Sequence, residues 1–318
     1  MTERSLSSHW IDWFLFALQQ YKLSVLGVIE YSPTTFRLKC KEMDVILKKI
    51  NPAQVDTIEH VSSLRLPFFE QAILNHRRKA VSFFGDDYFY IVPYLKNKYY
   101  DGKLSEKSLS QLLANLHNQT FHVVEVQTGY FEKWILMFQE KLSFAIAHDA
   151  NYFKAIIASF YKSPTEWLWS TSLDIGVEYY NSFQRHITLF QELTNNKNSV
   201  RETINWGHFG EENIDYNQQV LLGMHKVNVR SPVFDLYDWI NSSHSVNLLE
   251  NLRQYFTYFR LQNYEIHWLL CLLYDMPVLN FGKDEFANIR MIQKRKTKML
   301  LLRAIEDILG VKDKVTVS

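Results

Sequence analysis

The residues with the most chemical capacity lie in one stretch, Trp206-Gly207-His208-Phe209-Gly210-Glu211-Glu212-Asn213. A neutral imidazole such as that of His208 can accept a proton near neutral pH. Asn213, five residues on, offers one neutral carboxamide oxygen, and Glu211, Glu212 and Asp215 flank it. Magnesium prefers carboxylate and phosphate oxygens, so Asn213 alone makes a poor site, and a rearranged site would draw on these flanking acids. Their expected state is that of solvated loop charges. Far upstream, Lys48 stands in the strand pattern Val45-Ile46-Leu47-Lys48-Lys49-Ile50, where an exposed lysine is common.

Other candidates read as structure. His117, in a leucine-rich helical stretch, is expected to pack against a core. The run Lys294-Arg295-Lys296-Thr297-Lys298 lies beside Met299-Leu300-Leu301-Leu302 and before Glu306-Asp307, which predicts a solvated helix face rather than a nucleic-acid surface. A net charge of +1 favours neither nucleic acid nor an anionic surface. Cys40 and Cys271 are the two cysteines, without metal-ligand spacing, and predict free thiols in a reducing compartment. No apolar window of about 18 residues predicts a membrane span, and the first residues lack the pattern of a secretory signal. The expectation is a soluble protein that stays on the side of the membrane where it is made.

The elements that must position these residues follow from periodicity. Of 318 residues, 47% are hydrophobic, with 22 Phe, 18 Tyr and 8 Trp, enough for one large domain or two lobes. Residues 8–22 predict an amphipathic opening helix, and 25–29, 36–40 and 45–50 predict three short strands. Helices are predicted over 52–65 and 67–80, then a buried strand over 88–95 that ends in a Pro-bearing linker. A helix over 105–121 carries Leu109, Leu112, Leu113 and Leu116 on one face. Helical periodicity returns over 130–147, 152–161, 173–193, 246–260, 263–274 and 284–309. Composition and spacing alone predict a soluble mixed α+β protein.

Several motifs, in order, resemble the aminoglycoside-phosphotransferase-like kinases. Val45-Ile46-Leu47-Lys48 is similar to the strand whose lysine binds nucleotide phosphates, and Leu113-Ala114-Asn115-Leu116-His117 to a Leu-Ala-x-Leu-His helix. Gly207 through Asn213 is similar to a His-Gly-Asp loop with Asn five residues after the Asp, and Ser231-Pro232-Val233-Phe234-Asp235-Leu236 to the segment after the second metal-binding Asp. With Glu265-Ile266-His267-Trp268-Leu269 through Tyr274-Asp275-Met276-Pro277, the pattern most resembles the CotS-type spore coat kinase-like proteins, the YutH/YsxE group. The resemblance covers about residues 36 to 280. It implies an α+β, two-lobed protein-kinase-like fold, with a small mixed N-terminal lobe over 1–95 and a large, mainly helical lobe over 96–318.

The same resemblance assigns roles. Lys48 would contact nucleotide phosphates with Glu59 as its acidic partner, Asn213 would be a vestigial metal ligand, and Asp235 would brace the catalytic loop. His208 stands where the family has its proton-accepting Asp, and Gly223 or a neighbour where it has the second metal-binding Asp. The connection Glu30-Tyr31-Ser32-Pro33-Thr34-Thr35 has none of the glycines that let backbone amides approach phosphates. These losses imply a pseudokinase with a structural role in the spore coat, made in the mother-cell cytoplasm and partnered by other coat proteins. No cofactor is then expected. ATP and Mg²⁺ belong to the alternative, an active small-molecule phosphotransferase with unconventional residues.

Overall fold

The structure is a computed structural model that describes residues 14, 18–95, 105–207, 209, 213–215, 220–243, 247–275, 279 and 281–311. In chain order the strands are β1 (Val25–Ser32), β2 (Thr35–Cys40), β3 (Val45–Ile50), β4 (Val81–Phe84), β5 (Asp87–Pro93), β6 (His122–Glu125), β7 (Ser199–Asn205), β8 (Ile214–Asp215), β9 (Val220–Leu221) and β10 (Asn228–Arg230). The helices are α1 (Val55–Leu64), α2 (Ser105–Thr120), α3 (Tyr130–Ala158), α4 (Pro164–Ser170), α5 (Leu173–Thr194), α6 (Pro232–Ser242), α7 (Leu248–Tyr258), α8 (Asn263–Tyr274) and α9 (Glu285–Leu309). The chain divides into two compact units, Met1–Phe121 with Glu202–Pro232 and His122–Arg201 with Val233–Ser318. Each is therefore built from two separate stretches, whereas the sequence places a single boundary near residue 95.

The first unit is founded on an antiparallel sheet in the order β1-β2-β3-β5-β4. Side chains alternate across a strand, so Phe36, Leu38 and Cys40 of β2, Val45 and Leu47 of β3, and Phe89 and Ile91 of β5 share one buried face. Phe14 and Leu18 join that core, with the Phe14 and Phe36 rings edge to face at 5.1 Å. Of the opening helix predicted over 8–22, only Phe14 and residues 18–22 are among those described, and Phe14 and 18–19 are helical.

Residues 67–80 do not form the predicted helix. Pro67 follows the left-handed end of α1 at Arg65, and the next residues spend their backbone groups on β9. The Leu221 amide donates to the Phe68 carbonyl at 3.0 Å and the Glu70 amide to the Leu221 carbonyl at 2.9 Å. The Asn75 carboxamide then ties the approach to β4, accepting from the Arg77 and Lys79 amides and donating to the Val81 carbonyl and the Ser82 hydroxyl.

The second unit is mainly helical. Its α8 is buried almost all round, and Trp268 at its centre lies edge to face with Phe131 and Trp134 of α3 and stacks on Phe190 of α5. The two helices predicted over 130–147 and 152–161 are one continuous α3, and α4 follows it with a capping box of Ser163 and Glu166. Cys40 and Cys271 are buried free thiols. Among the described residues, no helix is long and apolar enough to cross a membrane.

Candidate functional site

With Leu47 facing the core, alternation puts Lys48 on the opposite face of β3, and the register with β5 sets Tyr90 directly across from it. The Lys48 ammonium lies 3.3 Å from both carboxylate oxygens of Glu70. Glu70 also accepts from the Tyr90 hydroxyl at 3.2 Å and from the Met224 amide at 2.6 Å. Burial, and then the charge of Glu70, pushes the Tyr90 phenol well above its ordinary range and keeps it a donor. The acidic partner of Lys48 is thus Glu70 and not Glu59. Glu59 accepts from the Ala80 and Val81 amides at 3.3 and 3.0 Å, at the start of β4. The sequence hides Glu70 because its position depends on the extended run beside β9.

The loop residues converge on the same place within the first unit. The Trp206 indole donates to the Leu222 carbonyl at 2.6 Å, and the Leu222 amide donates to the Asn213 carbonyl at 2.8 Å. Gly223 follows with φ of +94° and opens the 3-10 turn Met224–Lys226. A hydrogen-bonded path therefore runs from Asn213 through 222–224 to Glu70 and Lys48. The carbonyl of His225 accepts from the Gln54 side chain, and its imidazole lies 3.4 Å from the Tyr90 hydroxyl. Gly207 has φ of +64°, and a Cβ there would sit 3.3 Å from the Lys226 carbonyl. His208, Glu211 and Glu212 lie outside the described residues.

Three expectations about charged side chains change or sharpen. Asp215 is not a solvated loop charge: it is 3% exposed on β8, paired in register with Val220. The basic run on α9 is not wholly solvated, because Arg295 binds the buried Asp149 at 2.8 Å and the Tyr180 hydroxyl at 3.0 Å. Asp235 is completely buried in the first turn of α6, in the second unit, where its charge adds to burial in pushing the Tyr255 phenol upward. His117 is completely buried at the end of α2.

Gly223 supplies no side chain at the expected position, and no group of three or more His, Cys, Asp or Glu is placed to hold a metal among the described residues. The β1–β2 connection is a tight hairpin with Ser32 opposite Thr35. Its hydroxyls are turned to one another, Ser32 Oγ lying 3.3 Å from both the Thr34 amide and the Thr34 hydroxyl. The Lys48 ammonium is left with a carboxylate partner and no glycine-rich loop above it.

No protein-family model matches the sequence, and no curated protein sequence is similar to it. Solved structures do resemble it. An aminoglycoside phosphotransferase from Alicyclobacillus acidocaldarius subsp. acidocaldarius DSM 446 aligns over 97% of this chain and 98% of that chain, with a TM-score of 0.57 at 12% identity. A spectinomycin phosphotransferase in complex with ADP and spectinomycin aligns over 97% and 99%, with a TM-score of 0.45 at 11% identity. The choline kinase LicA from Streptococcus pneumoniae aligns over 95% and 100%, with a TM-score of 0.43 at 9% identity. The fold is α+β and kinase-like, with a small antiparallel-sheet lobe and a larger, mainly helical one.

Proposed function

We propose that this chain is a pseudokinase, a kinase-like protein that does not transfer phosphate, with a scaffolding role in the bacterial spore coat. The observation that carries the first half is Gly223. Where a metal-binding carboxylate is due, the chain has no side chain, and the next amide is tied to Glu70. Phosphoryl transfer depends on positioned phosphates and on Mg²⁺ neutralising the developing charge. Lys48 and Asn213 remain, but they supply one cation and one amide where phosphoryl transfer also needs a metal-binding carboxylate, a proton acceptor and a backbone cradle.

The scaffolding half rests on the sequence resemblance to CotS-type coat proteins and on exposed rings in the second unit. Phe144, Phe160, Tyr161 and Trp167 are all more than half exposed, in α3, the loop after it and α4. Large exposed rings favour contacts with other proteins. On this reading the protein is made in the mother-cell cytoplasm, deposited on the spore and held there by other coat proteins. Fractionation tests it: the protein is expected in the coat extract of mature spores, and its confinement to vegetative cytosol would remove the assignment.

The retained Lys48–Glu70 pair favours a second reading, an active phosphotransferase for a hydroxylated or amino-sugar metabolite. Wild-type protein with ATP, Mg²⁺ and a panel of such acceptors is expected to form no ADP above the blank. Steady ADP formation, lost in Lys48→Ala, would establish the second reading instead.

A further inference from the structure

The second unit holds a cavity of about 1050 Å³ against α9, with an apolar floor that includes Ile240, Leu273, Leu279 and Leu302. Small-ligand pockets of roughly 300–1,000 Å³ are built in this way, mostly apolar with a few placed polar groups. The charged groups here are of one sign, beside the neutral Asn241, Gln293 and Thr297. Arg290, Lys294 and Lys298 line the cavity at successive fourth positions of α9, so three cations share one helix face over about 12 Å. Their neighbour Arg295 is already neutralised by Asp149, but these three have no ion-pair partner among the described residues. Among the described residues, Lys298 hydrogen-bonds to the Asn241 carboxamide at 3.5 Å.

Like charges four residues apart repel and cost a helix stability, and nothing in the packing of α9 calls for them. Burial holds the Lys298 ammonium below the ordinary lysine range, with Asp275 acting in the opposite sense while itself bonded to Lys141. An apolar floor under an uncompensated cationic row complements a ligand with an apolar body and an anionic head. From this arrangement we propose that the cavity binds an anionic amphiphile, its chain against Leu273 and Leu279 and its head on Arg290, Lys294 and Lys298. The site is independent of any nucleotide chemistry at Lys48.

Calorimetric titration of the full chain with dodecanoate, monododecyl phosphate and dodecan-1-ol, each below its micelle concentration, tests this. At least one of the two anions is expected to saturate at one molecule per chain, and the alcohol to bind about tenfold more weakly than it, the factor that a hydrogen bond to a charged group supplies. Preference for the phosphate or for the carboxylate supports the site and identifies the headgroup. Lys294→Gln with Lys298→Gln, which keeps polar side chains and relieves the like-charge repulsion, is expected to erase the anion's advantage without lowering the melting temperature. Ala287→Trp, which sets a large ring at a lining position of the cavity, is expected to weaken binding of every probe. Equal binding of alcohol and anions, no saturation by either anion, or an undiminished preference in the double variant would overturn the proposal.

Discussion

Glu70 accepts at once from an ammonium, a phenol and a backbone amide, and it is only 4% exposed in its side chain. Glu70→Ala removes the acceptor those donors share and should destabilise the protein by about 3–5 kcal/mol in urea unfolding. Lys48→Met should cost less, about 1–2 kcal/mol, because two donors still hold the carboxylate and the lysine is partly exposed. Equal losses in the two variants would show that the ion pair, and not the tie to Met224, carries the stability. A second buried cluster predicts a pH dependence. His267 lies beside His186 with the Nδ1 atoms 3.0 Å apart, and burial, reinforced by His186, lowers its pKa from 6.5 to about 4. Between those values the unfolded chain binds the proton and the folded chain does not, so stability should fall as pH falls from about 6.5 to about 4. The full loss is roughly 3 kcal/mol, and His267→Gln should flatten it in melts across this window. Burial would raise the Glu306 carboxyl, but the His186 hydrogen bond, its charge and the Tyr274 hydroxyl outweigh that and hold it low. Its contribution is lost only below the ordinary carboxylate range.

At the scale of elements, what the sequence makes legible is what local pattern alone determines. The strands expected at 25–29, 36–40 and 45–50 form as Val25–Ser32, Thr35–Cys40 and Val45–Ile50, because alternation and turn residues mark them. The segment after Pro67 has helix-like composition, yet its Phe68 carbonyl and Glu70 amide bond to β9, more than a hundred residues away in the chain. No local signal carries that pairing, and the position of Glu70 depends on it. The short strands β8 to β10 escape for the same reason. Two substitutions probe these elements. Ser163→Ala removes the side-chain acceptor for the Glu166 amide and should cost about 1 kcal/mol in unfolding experiments. Gly223→Ala places a Cβ at φ of +94° and should cost about 1–2 kcal/mol. A neutral outcome there would mean that the turn before Met224 adapts without strain.

For the whole molecule, a few motifs in the right order were enough to anticipate the α+β kinase-like fold, since they report on elements far apart in the chain. Glu202–Pro232 returns to the first compact unit through tertiary contacts, which no local pattern in the sequence reports. The same contacts bring Asn213, Gly223 and Lys48 onto one hydrogen-bonded path, and among the described residues no group of three or more His, Cys, Asp or Glu is placed to hold a metal. The central claim is therefore about Mg²⁺ and nucleotide together. The most direct measurement is the melting temperature of the wild-type protein across a series of ATP concentrations, with and without Mg²⁺. A ligand bound only by the native state raises it increasingly with concentration. The account predicts no Mg²⁺-dependent rise at millimolar ATP. A rise that grows with ATP, requires Mg²⁺ and disappears in Lys48→Ala would contradict it.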